Sequence, residues 1–98
     1  MKVRYRNRAL SDLEEIFRYL DQRNASGARN VINAIYDAIA LIAKYPLGAE
    51  RTSHSGIRVK VVSRYPYKIF YRVDSDYVEI LHVRHGARRP WSPDQALG

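Results

Sequence analysis

Near Pro46 the hydrophobic period of this chain changes from 3.6 to 2, and that switch limits what it can fold into. Before it, Leu13, Ile16, Phe17 and Leu20 recur at helical spacing and predict a first helix over about residues 11–23. Ser11-Asp12-Leu13-Glu14 reads as its capping box. Ser11 would accept from the Glu14 backbone N–H, and Glu14 would reach back to that of Ser11. Asn24-Ala25-Ser26-Gly27 breaks the pattern, and Asn24 or Ser26 can cap a second helix. There Ile32, Ile35, Ile39 and Ile42 form one stripe, widened by Val31, Ala34, Ala38 and Leu41, so this helix is expected to be the more buried. Pro46-Leu47-Gly48 ends it, and the short break between the helices predicts an antiparallel helical hairpin.

After the switch, residues 57–63 and 67–73 alternate, with Tyr65-Pro66 as a hairpin turn between them. Asp74-Ser75-Asp76 makes a further turn, and residues 77–85 read as the next strand. Residues 2–6, KVRYR, alternate as well. The predicted class is α+β, in the order β-α-α-β-β-β. The helical hairpin packs on one face of a mostly antiparallel four-stranded sheet. At 98 residues there is room for one domain, taken here as residues 1–91, with 92–98 as a loose tail. Absence of cysteine excludes disulfides and thiolate metal sites. No stretch reads as a signal peptide or a membrane span, so the expected location is the cytoplasm and no membrane partner is expected.

The net charge of +7 is unevenly spread. Residues 1–50 hold eight Lys/Arg against six Asp/Glu, and residues 51–98 hold nine against four. That bias points the second half toward an anionic partner, either nucleic acid or an acidic protein segment. Alternation predicts one sheet face collecting Arg58, Lys60, Lys68 and Arg72, if the apolar sets pack on the helices. The last strand ends ILHVRHGARRPW, where Arg84, His85, Arg88 and Arg89 extend that face and are expected to be partly exposed. Trp91 either packs the tail down or anchors a partner. Tyr67, Ile69 and Tyr71 read as core, and His82 as a hydrogen-bonded strand residue. His54, His82 and His85 lack carboxylates at ligand spacing, so no metal and no cofactor is expected. Arginine forks with histidines at their edge can cleave RNA without metal, or simply hold a polyanion.

The YKIFYRV strand, its turn, VEILHVRHGARRPW and the N-terminal RALSDLEEIFRYL resemble the RelE/ParE superfamily of toxins from bacterial type II toxin–antitoxin pairs. The resemblance covers residues 2–91 and implies a growth-inhibiting protein neutralised by a cognate antitoxin in a hetero-oligomer. Two activities compete within the superfamily. The RelE-like branch cleaves mRNA on the ribosome, and the matching basic positions here are Arg58, Lys60, Lys68 and Arg88, with His85 as the acid–base candidate. Asp94 stands near where RelE carries a tyrosine. The ParE-like branch inhibits DNA gyrase without being an enzyme, and the HGAR ending and long helical hairpin resemble it more. A non-catalytic nucleic-acid-binding module is the third reading, resting on charge alone.

Overall fold

The computed structural model describes residues 1–86. The expected tail, together with Arg88, Arg89 and Trp91, lies outside the described residues. The elements run β1 Lys2–Tyr5, α1 Asn7–Asp21, α2 Ala25–Lys44, β2 Glu50–Arg51, β3 Arg58–Val61, β4 Tyr67–Val73 and β5 Tyr77–His85. The strands form one sheet in the order β1-β5-β4-β3-β2. Its pairings are antiparallel except β1 with β5, which is parallel and therefore needs the crossover that the helices supply. The predicted α+β class is the one observed, with one strand more than expected. At two residues, β2 is too short to show any alternation.

The start of α1 departs from the expected capping box. Arg6 donates its backbone N–H to the Ile80 carbonyl at 2.9 Å, and its own carbonyl already accepts from Leu10 N–H at 3.1 Å. The chain thus passes from strand to helix almost at once, a turn before Ser11. Ser11 is an exposed mid-helix residue, and Glu14 pairs with Arg18 one turn on. Tertiary contacts override the local signal here: the early start buries Ala9 completely and brings Asp12 against β5. At α2 the local signal holds, because the Asn24 side chain accepts from Gly27 N–H at 3.0 Å.

Between the helices and the sheet lies the main core, in which Leu13, Val31, Ile35, Ala38, Ile39 and Ile42 meet Ile69, Tyr71, Val78, Ile80 and Val83. Tyr67, Ile69 and Tyr71 are core residues, as the alternation predicts. Tyr71 is fully buried, and its hydroxyl donates to the Pro46 carbonyl at 2.8 Å, tying the end of α2 to β4. Two residues of the predicted helical stripes, Phe17 and Leu41, are exposed instead.

The register of β3 overturns one expectation about faces. Arg58 lies opposite Tyr71, Val59 opposite Phe70, Lys60 opposite Ile69 and Val61 opposite Lys68. Directly opposed residues share a face. Arg58 and Lys60 therefore stand on the helix side with Tyr71 and Ile69, while Lys68 stands on the other side with Phe70. The single face carrying Arg58, Lys60, Lys68 and Arg72 does not form. The apolar set of β3 instead builds a second, smaller cluster, in which Ile57 and Val59 pack on Phe70 and Leu81. The turn over residues 62–66 fixes this register. Val62 N–H bonds the Tyr67 carbonyl at 2.9 Å, and Arg64 takes the left-handed φ of 73° that the turn requires. A slip of one residue exchanges the faces of a whole strand, and alternation alone does not say which core each set will find.

Candidate functional site

The end of β5 is where the sequence concentrates its charge, and its surroundings follow from a mismatch in strand length. Pairing with β1 stops at Tyr5–Ile80, whereas β5 runs on to His85. Along the uncovered edge, Val83 N–H turns to a side chain and donates to Asp12 Oδ2 at 3.0 Å. The same oxygen lies 2.6 Å from His82 Nδ1, and Asp12 Oδ1 accepts from Arg8 Nε at 3.0 Å. Asp12 and His82 are both buried. A bulge at this level pairs Phe70 with His82 but Tyr71 with Ile80, which leaves Leu81 as the extra residue. The His82 ring lies nearly parallel to that of Phe70, with centroids 6.0 Å apart. His82 is thus the hydrogen-bonded strand residue that its position predicts.

Beyond it, Lys68 and Arg84 lie directly opposite each other on the face away from the helices. Opposed like charges are unfavourable on a sheet, so the pair concentrates positive charge at this end of the face. Arg84 is only 8% exposed, with Nε 3.3 Å from the His85 carbonyl, which corrects the expectation of partial exposure. His85 is half-buried and meets the Tyr67 ring edge-on at 5.4 Å. Gly86 closes the site by donating to the Pro66 carbonyl at 2.5 Å, an approach that would set a Cβ 3.3 Å from that oxygen.

The remaining candidates lie elsewhere. Arg72 shares Glu79 with Arg6, at 2.9 and 3.5 Å, so its charge is largely spent inside the sheet face. Arg58 donates from Nη1 to the Ala49 carbonyl at 2.8 Å on the helix side, and Lys60 is half-buried on that same side. Lys68 and Arg84 come together; His85, paired with the core residue Tyr67, stands on the helix side, as do Arg58 and Lys60. Asp12 is the residue that sequence reasoning misses. It lies 70 positions from His82, and within the helical pattern it reads only as part of a cap. Burial raises the Tyr71 phenol above its ordinary range, against the opposing pull of the nearby Arg58 charge. Among the described residues no three His, Asp or Glu side chains gather where a metal ion could be held. No described helix is long and apolar enough to cross a membrane.

The family described as the ParE toxin of the type II toxin–antitoxin system parDE matches this chain over residues 3–90. The chain belongs to that family. It is 34% identical over 90 residues to "Putative toxin Y4kP" of Sinorhizobium fredii, an alignment covering 92% of each chain. Among solved structures it is similar to a chain of the chromosomal ParDE system from P. aeruginosa, with a TM-score of 0.76 at 20% identity, covering 87% of this chain and 95% of that one. It is also similar to a chain of the RelBE2 toxin–antitoxin complex from Mycobacterium tuberculosis, with a TM-score of 0.64 at 22% identity, covering 89% and 92%. These two likenesses carry the fold. The ParE family match takes in both the helical hairpin and the whole of β5 with its cationic end.

Proposed function

We propose that this chain is the toxin of a type II toxin–antitoxin pair, that it arrests bacterial growth by inhibiting DNA gyrase, and that a cognate antitoxin protein neutralises it. The observation that carries this reading is the ParE toxin family match along residues 3–90. The geometry of the cations supports it. Metal-free RNA cleavage needs several cations and an acid–base pair around one phosphate. Here Arg58 and Lys60 stand on the face opposite Lys68, and His82 is held in the interior by Asp12. A protein that acts by binding needs no such convergence. The antitoxin is expected on the sheet face away from the helices, through an acidic segment with interspersed apolar residues. Lys68 would meet its carboxylates, and the 61%-exposed Val61 would meet its apolar side chains. Arg72, Arg88, Arg89 and Trp91 are further proposed contacts.

The test sets two assays side by side. Purified full-length protein is added to gyrase supercoiling and to ribosome-dependent mRNA cleavage. The proposal expects loss of supercoiling, unchanged mRNA and relief of growth arrest by the co-expressed antitoxin. Cleaved mRNA with normal supercoiling would replace it with the RelE-like endonuclease reading. Harmless overexpression of folded protein would remove the toxin assignment.

A further inference from the structure

At the other end of the sheet, two arginines oppose each other across neighbouring strands. Arg51 of β2 and Arg58 of β3 are direct cross-strand neighbours, so their side chains share a face. Among the described residues neither forms an ion pair. The nearest acid in sequence, Glu50, lies opposite Val59 and so points to the other face. The intervening loop is held by its own bonds. Thr52 N–H and Oγ1 both donate to the Ile57 carbonyl, at 3.0 and 2.9 Å, and Ile57 N–H returns to the His54 carbonyl at 3.2 Å. Gly56, at φ 78°, lets the chain reverse. With the backbone so fixed, Ser53, His54 and Ser55 are all exposed beside the arginines. These residues line a cleft of about 460 Å³. Arg58 is oriented within it by the Ala49 and Leu47 carbonyls, which Nη1 meets at 2.8 and 3.4 Å, and the other donors of the guanidinium are left for a ligand.

A neighbouring cleft of about 500 Å³ on the far side of the same loop makes the contrast. It contains Arg6 and Arg72, but both are paired with Glu79, and Asp74 adds a further negative charge. Among the described residues, none that lines the first cleft is a carboxylate. Two guanidinium forks, an imidazole and several hydroxyls offer donors in more than one plane, which suits a tetrahedral oxyanion better than a flat carboxylate.

We propose that the cleft of Arg51, Thr52, Ser53, His54, Ser55 and Arg58 binds a phosphate group. It does so independently of the target discussed above, because it lies at the opposite end of the sheet from His85. Amide shifts of the full-length protein, titrated with inorganic phosphate at constant ionic strength, should move in residues 51–58 before any others. Arg51→Ala and His54→Ala together should weaken phosphate binding by about tenfold or more, since each charged hydrogen bond contributes on that scale. Arg58→Lys keeps the charge, loses the fork and should weaken it as well. A phosphate-free chloride titration is the baseline. An abasic phosphodiester oligomer that displaces phosphate would identify a nucleic-acid backbone as the source, and failure to displace it would identify a free phosphate compound. No localised shift with phosphate overturns the proposal, as does an Arg51→Ala, His54→Ala variant that binds unchanged. A poly-glutamate peptide that moves these amides when phosphate does not would reassign the cleft to an acidic protein segment.

Discussion

Replacing Asp12 by alanine should be among the most damaging single changes to this fold, although the residue lies near the start of a helix and reads as ordinary in sequence. The substitution removes the acceptor of the buried Val83 N–H and one bond of the buried His82 ring in one step. The orphaned Val83 N–H costs about 1–3 kcal/mol, and the lost bond to His82 adds about 0.5–1.5 kcal/mol. The third bond, to the more exposed Arg8, adds under about 1 kcal/mol. Domains of this size have a total stability of about 5–15 kcal/mol, so the variant should fold but melt at least roughly 6 °C lower. Urea unfolding followed by circular dichroism gives the difference. Asp12→Asn should cost about half as much, because its amide oxygen still accepts from Val83. Arg8→Ala should stay within about 1 kcal/mol of the parent and serves as the control. If Asp12→Ala lowered stability by less than about 1 kcal/mol, the account of β5's uncovered edge would be wrong.

Arg64 occupies a left-handed turn position at φ 73°, so Arg64→Gly should be neutral or stabilise by up to about 1 kcal/mol, and Arg64→Val should destabilise by at least about 1 kcal/mol, both read from urea midpoints. Because burial raises the Tyr71 and Tyr5 phenols in the fold, their contribution is complete below the ordinary value of 10.0 and is lost as pH rises above it. Stability should therefore fall as pH rises above about 10, and Tyr71→Phe should flatten that fall; an unchanged slope would contradict the assignment. Lys68→Glu reverses the charge on the face away from the helices and should weaken antitoxin binding in a pull-down, whereas unchanged binding would remove Lys68 from that contact.

Much of this fold is legible in one sequence because its main core obeys simple periods. Ile35, Ile39 and Ile42 recur on a helix, and Ile69 and Tyr71 alternate on a strand, so both elements show which side faces inward. Legibility ends where a second contact competes with the first. In β3 both faces find apolar partners, and only the turn around Arg64 decides that Val59 joins Phe70 and that Arg58 joins Tyr71. The capping box at Ser11 is a sound local motif, but the bond from Arg6 to Ile80 starts the helix before the motif can act. For the site, His85 and Lys68 could be placed at a strand end by alternation alone. The burial of Arg84 could not, and neither could the role of the Asp12 carboxylate, which depends on where β1 stops relative to β5.

The register also bears on how many surfaces the chain presents. Lys68 and Arg84 lie on the sheet face away from the helices, beside Val61, whereas Arg51 and Arg58 lie on the helix face at the start of β3. Three residues of strand separate Arg58 from Val61, which is roughly 10 Å at about 3.3 Å per residue. That is about one Debye length at 0.1 M salt, and the sheet itself intervenes. The two cationic groups should therefore act as separate sites. Substitutions at sites this far apart, with no shared partner, add within about 0.5 kcal/mol. Combining Arg51→Ala with Lys68→Ala should then leave the phosphate affinity at its Arg51→Ala value and the antitoxin affinity at its Lys68→Ala value. A double variant that falls below the relevant single variant in either measurement would mean that one ligand spans both ends of the sheet, and the division into two sites would have to be abandoned.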